Sequence, residues 1–174
     1  MTTQVANPPT RDDAGSKYLT FVLDGGVYGI PILNVREIIA IQPVTPLPRM
    51  PMAIRGVINL RGKIIPVLGL RTSLGLHAGD IDRSTCIVVL EVEDADQLTV
   101  NIGCIVNAVR EVSGVRREDV QDPPSVGARL DSDYILGLAK AADSDHVITL
   151  LNMQVVLAEF MTEASSFESM EMEL

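Results

Sequence analysis

Ile54-Arg55-Gly56-Val57-Ile58-Asn59-Leu60-Arg61-Gly62-Lys63-Ile64-Ile65-Pro66-Val67-Leu68 is the stretch that decides the fold. Two apolar runs, 54–60 and 63–70, flank the pair Arg61-Gly62. β-Branched residues are common in both, and such side chains suit a pleated surface. The intervening glycine supplies turn geometry, so the pair predicts a hairpin between two strands.

The flanking sequence continues in short segments. Upstream, Leu19, Phe21 and Leu23 alternate with Tyr18, Thr20 and Val22, the period of a half-buried strand. Asp24-Gly25-Gly26 predicts a tight turn, and 27–32 returns as a second strand. Pro31 cannot donate to a ladder, which places it at an edge or a strand end. Val35, Ile38 and Ile39 then have the i, i+3, i+4 spacing of a helix face. Asn34 and Glu37 have the spacing of a capping box, so a short helix is expected here. The prolines of 43–48 end it and favour extended chain.

Downstream the same programme repeats. Strands are expected at 86–92 and 98–106 around a turn at 93–97, then at 134–138 and 147–151 around a polar turn at 143–145. Val109-Arg110-Glu111-Val112 matches Val35-Arg36-Glu37-Ile38 at an offset of 74, and Pro123-Pro124 follows it. Duplication is the simplest account. Asn152 is a cap for a final helix that buries Met153, Val156, Leu157, Phe160 and Met161. The expected fold is all-β: two packed, five-stranded small barrels, about 17–80 and 83–151, with short connecting helices and a C-terminal helix over about 152–161. Each half has a marginal core by itself, so the halves are expected to share buried surface. Residues 1–16 and the acidic 162–174 read as disordered tails, with Met170-Glu171-Met172-Glu173-Leu174 as a minor candidate for partner recognition.

Composition narrows the function classes. The net charge of −9 disfavours nucleic acid and anionic lipid as partners. The longest apolar runs fall far short of the roughly 20 residues that span a bilayer, and the N-terminus lacks a signal-peptide core. A cytoplasmic location is expected. Cys86 and Cys104 are too few for a disulfide scaffold and read as small core residues. A turn near Ala95 would set them roughly opposite each other across a hairpin, a pairing that a one-residue slip would undo. With two histidines, His77 and His146, there is no metal-ligand spacing. No phosphate loop, dinucleotide fingerprint or nucleophile elbow occurs either. A binding module is the favoured class. An enzyme with a dispersed site is the alternative, and it requires a deep pocket with perturbed ionisable groups.

The 54–68 stretch resembles the signature of the CheW family, in which a Gly-Val-Ile-Asn-Leu-Arg-Gly core is followed by an apolar strand containing proline. Tyr28-Gly29-Ile30-Pro31-Ile32, Val35-Arg36-Glu37-Ile38, Gly103-Cys104-Ile105-Val106-Asn107-Ala108-Val109, Tyr134-Ile135-Leu136-Gly137-Leu138-Ala139-Lys140 and Ile148-Thr149-Leu150-Leu151-Asn152-Met153 fall where the family places similar segments. The resemblance covers roughly 17–160. It implies two five-stranded barrels and a non-enzymatic adaptor that needs no cofactor. The implied partners are chemoreceptor cytoplasmic tips and the regulatory domain of the histidine kinase CheA. An adaptor of a related chemotaxis-like pathway, such as pilus motility, is the alternative within the class. Asn107 and Gly69 depart from the family, which often has acidic residues there.

The implied receptor-binding residues are Arg61, Glu37, Val35, Gly56, Asn59, Gly62 and Val106. Each has a plain structural role beside it. Arg61 presents a planar donor fork at a hairpin tip, or is a solvated turn residue. Glu37 caps a helix, lines a groove, or does both. Val35 is foremost a core residue. Gly56 and Gly62 supply turn or bulge geometry, with Gly56 also open to close approach by a receptor helix. Ile105, Val106 and Val109 are mostly core, and any exposed member lines a groove between the barrels, where a receptor helix would lie.

Overall fold

The structure is a computed structural model, and it describes residues 16–77, 79–94, 96–123, 134–140, 145–158 and 160. Eleven strands dominate it: β1 (Ser16–Leu23), β2 (Gly26–Pro31), β3 (Val35–Ala40), β4 (Ile54–Leu60), β5 (Lys63–Gly69), β6 (Cys86–Glu93), β7 (Thr99–Val106), β8 (Ala108–Val115), β9 (Val120–Gln121), β10 (Ile135–Lys140) and β11 (Val147–Leu151). One-turn helix α1 (Leu70–Ser73) follows β5, and residues 153–158 form a further helical segment, α2. Residues 1–15 and 162–174 of the expected tails, Pro124, Met161 and the turn residues Ala95, Asp143 and Ser144 lie outside the described residues, while Ser16 begins β1.

The all-β class holds, in two sheets. The six-stranded sheet has the order β8-β1-β2-β11-β10-β9, and the five-stranded sheet the order β3-β6-β7-β5-β4. Both sheets curl. Val115 ends β8 and Val120 begins β9, yet these strands occupy opposite edges. Four connecting residues reach ~18 Å at most, whereas a flat sheet would set those edges ~24 Å apart. The sheet must therefore curl. In the other sheet, the chain leaving β3 meets β4 at the far edge, where Thr45 and Val57 exchange two backbone hydrogen bonds of 2.9 Å.

Sheet membership corrects the expected division into 17–80 and 83–151. Hairpin β1–β2 leaves the first half and pairs with β8 and, in parallel, with β11. Hairpin β6–β7 reciprocally pairs with β3 and β5. The local hairpins are those the sequence predicts. Their exchange between halves is set by long-range pairing, which no local pattern encodes.

This exchange creates three apolar clusters. Ile58, Ile65, Val67, Ile87 and Val89 fill the five-stranded sheet, and Tyr18, Val115, Ala139, Ile148 and Leu150 fill the six-stranded one. Between the sheets lies a larger shared core that includes Leu19, Phe21, Leu23, Leu68, Val88, Leu90 and Cys104. Successive residues of β6 alternate between the inner and the shared cluster, so both faces are buried and the run reads as continuously apolar. Met153, Val156 and Leu157 of α2 enter the shared core as expected. Asn152 Oδ1 accepts the Val155 amide at 3.4 Å, the position of an N-cap.

The expected helix at 34–39 is instead strand β3, preceded by a single 3-10 turn over Ile32–Asn34. The helical spacing falls on a β-bulge. Val35 pairs with Leu90, the register shifts before Glu37, and Ile38 then pairs with Val88. One extra residue in β3 shifts the alternation, and the two apolar side chains three apart have different fates: Val35 packs on the shared core and Ile38 is exposed. Glu37 therefore caps no helix, and no side-chain cap is made on the preceding turn.

Candidate functional site

The Arg61-Gly62 turn has φ of 51° and 89°, the geometry of a two-residue turn with positive φ at both centres. Asn59 Oδ1 accepts the Gly62 amide at 2.9 Å and fixes the turn. No atom lies within 4 Å of a Cβ built on Gly62, so that glycine serves conformation alone. Arg61 is a non-glycine residue in the left-handed region, a placement that costs about 1 kcal/mol. Its side chain is 70% exposed and pairs with the Glu37 carboxylate, which is 24% exposed. Two predicted site residues, 24 apart in sequence, thus meet as an ion pair joining the β4–β5 tip to β3. A second pair beside it, Arg36 Nη1 to Glu91 Oε2 at 2.9 Å, ties β3 to β6.

The other predicted residues divide. Val35 is half-buried and packs on the shared core. Gly56 has φ of 146°, and a Cβ there would stand 2.1 Å from the Thr45 carbonyl oxygen. Its close neighbour is thus the chain's own 45–46 backbone, which occupies the space proposed for a receptor helix. Val106 is 1% exposed and belongs to the shared core.

Ile105, Val106 and Asn107 nevertheless border a groove of about 510 Å³. Its other walls come from 41–44, Arg55, 69–71, 79–81 and Thr85. The groove is an open, largely apolar cleft carrying Arg55, Arg71 and Asp80. Both positions noted as departures, Gly69 and Asn107, lie on it. Arg55 passes over Gly69, where an added Cβ would be 2.8 Å from its Nε.

Sequence reasoning missed Arg71 and the role of Asp24. Arg71 Nη2 donates to Asp24 Oδ1 at 2.8 Å and Nη1 to Asn107 Oδ1 at 3.3 Å. Asp24 was legible only as turn chemistry, and nothing around Arg71 singles it out.

The cysteine pairing is corrected. Cys86 pairs with Val106 and Cys104 with Val88, a two-residue offset that leaves the thiols diagonal, and both are free. Burial pushes the Cys104 thiol up to about 12. Burial also raises Cys86, partly opposed by a hydrogen bond from the Val109 backbone. Among the described residues, no group of three or more His, Cys, Asp or Glu is placed to hold a metal ion, and no helix is long and apolar enough to cross a membrane.

Comparison with known proteins agrees with the fold. The CheW-like domain matches residues 17–161. A chemotaxis protein CheW from Treponema pallidum is 33% identical over 141 residues, covering 79% of this chain and 80% of that protein. The protein FrzA from Myxococcus xanthus is 33% identical over 132 residues, covering 74% and 77%. The crystal structure of the scaffolding protein TtCheW from Thermoanaerobacter tengcongensis superposes with a TM-score of 0.71 at 31% identity, over 82% of this chain and 92% of that one. With the family match running along 17–161, through strands of both sheets, this chain belongs to the CheW-like domain family.

Proposed function

We propose that this protein is a non-enzymatic adaptor that couples chemoreceptor cytoplasmic tips to the regulatory domain of the histidine kinase CheA. It would work at the cytoplasmic face of the membrane, held there through its partners. The observation that carries the reading is Arg61. A turn of this kind is cheapest with Asn-Gly, yet an arginine occupies the strained position and projects into solvent with Glu37 behind it. A surface ion pair is worth at most about 1 kcal/mol, so it scarcely offsets the backbone cost. A guanidinium fork aimed at a partner's carboxylate or carbonyls gives the strain a purpose. The groove beside 41–44 and 105–107, walled by the five-stranded sheet and its connections, suits an amphipathic receptor helix.

Co-sedimentation with receptor signalling fragments and the kinase tests this. Wild type should bring the kinase to the receptors. Arg61→Glu should stay folded and fail, and Glu37→Arg combined with Arg61→Glu should restore the internal pair without restoring coupling. A wild-type protein that binds neither partner would sink the adaptor reading.

The similarity to FrzA favours a second reading, an adaptor in a different chemotaxis-like pathway. Pull-down with receptors from the two kinds of pathway separates them. The enzyme alternative is disfavoured because the shifted groups among the described residues, Tyr28, Cys86 and Cys104, do not line the groove.

A further inference from the structure

Asn107 is the single residue between β7 of the five-stranded sheet and β8 of the six-stranded one. Its amide donates to the Val22 carbonyl on β1 at 3.1 Å. Its Oδ1 accepts the Asp24 amide at 3.2 Å and Arg71 Nη1 at 3.3 Å. The Asp24 carboxylate, in the β1–β2 turn, accepts Arg71 Nη2 at 2.8 Å. One guanidinium, on α1 directly after β5, thus joins a part of each sheet to the point where the chain crosses between them. It also braces the groove. Arg71 and Asn107 both line it, and the 79–81 wall lies so near that a Cβ on Gly79 would stand 1.7 Å from Arg71 Nη1.

This is a costly way to hold two sheets that already share a large apolar core. The Arg71 side chain is only 18% exposed, and its Nε is buried with no hydrogen-bond partner among the described residues. Taking a cation out of water and leaving a donor unmade both oppose stability, and an apolar side chain of similar length often does as well in such a place. The contribution of Arg71 therefore lies in geometry. We infer that Arg71, held by Asp24 and Asn107, is a positioning residue that fixes the groove wall in the shape a receptor segment fits. The inference rests on the proposal that the groove is the receptor-docking surface.

The test uses the full chain as wild type, Arg71→Met, Asp24→Asn and the double variant. Asparagine is chosen because it tolerates the positive φ of 48° at Asp24. Each protein is measured for its urea midpoint, for its affinity to a receptor signalling fragment and for amide exchange at 79–81. Asp24→Asn alone should lower the midpoint, because it leaves the largely buried cation without its counter-charge. The double variant should regain the midpoint, yet bind the fragment at least tenfold more weakly and exchange faster at 79–81. Affinity that returns with the midpoint, or Arg71→Met that binds like wild type, overturns the inference and leaves the docking proposal standing. A wild-type protein that does not bind the fragment overturns the docking proposal itself, and the inference falls with it.

Discussion

Gly56 and Gly62 sit in the same short motif, yet they answer to different forces. At Gly56 a Cβ would stand 2.1 Å from the Thr45 carbonyl oxygen and the φ is 146°. Overpacking and backbone strain add there, so Gly56→Ala should cost about 2–4 kcal/mol. Gly62 has open space around it, so Gly62→Ala should cost only about 1–2 kcal/mol through its φ of 89°. Urea midpoints of the two variants check the ordering, and equal losses would refute the distinction. The Cys104 thiol gives a pH prediction. Burial holds its folded pKa at about 12, above the ordinary thiol value of 9.0, so the unfolded chain loses the proton first as pH rises. Stability is thus unaffected below about pH 9 and falls by about 1.4 kcal/mol per pH unit between the two values. Denaturation at pH 8 and 10.5 should show this slope, and Cys104→Ala should remove the Cys104 share of it, leaving that of Cys86, which burial also raises. The turn Asn59-Leu60-Arg61-Gly62 was legible from sequence because its chemistry is local. The partner of Arg61 was not, since Glu37 reaches it only through the curling of a sheet.

The strands carry a lesson about periodicity. Val35 with Ile38, and Val109 with Val112, share the three-residue spacing of a helix face, and both pairs lie on strands with a bulge. On β8, Val112 pairs with Leu19 and Val109 with Phe21, so three steps of β8 match two of β1. Val35 and Val109 pack on the shared core while Ile38 and Val112 are exposed, so the spacing marks no buried helix face, and the pairing identifies a bulge instead. The offset of 74 between these segments was legible, and the structure shows why it matters: the same bulge occurs in each. In β8 the bulge is held by Thr20, a buried residue whose Oγ1 donates to the Glu111 carbonyl at 2.8 Å and accepts its amide at 3.2 Å. Thr20→Val keeps the shape and orphans both backbone groups, which should cost about 1–3 kcal/mol. Thr20→Ser, which keeps the hydroxyl, should recover most of the hydrogen-bond loss. Amide exchange at Glu111 should accelerate in the valine variant alone, and equal exchange in both would assign the loss to packing.

Cohesion between the two sheets follows from the exchanged hairpins. A chain cut near residue 80 would keep β1–β2 but lose β8 and β11, the strands that flank this hairpin in its sheet. It would also keep β3, β4 and β5 without β6 and β7, which stand between β3 and β5. An isolated hairpin is marginal at best in water. Neither sheet can therefore be completed from one half, and the shared core, with Leu19 and Phe21 facing Val88 and Leu90, would be exposed as well. Duplication suggested two units of similar size, but it did not say which hairpin completes which sheet. That follows from parallel pairings such as Leu150 with Gly29 and Val67 with Gly103, each spanning many residues of chain. The expected behaviour is a single cooperative unfolding transition, with far-ultraviolet circular dichroism and Cys104 thiol exposure tracking the same urea midpoint. Fragments 1–80 and 81–174 should each be unfolded alone and recover strand signal only when mixed. A fragment that folds independently, or two separated transitions in the intact chain, would show that the sheets are autonomous and that the exchanged hairpins contribute little to joining them.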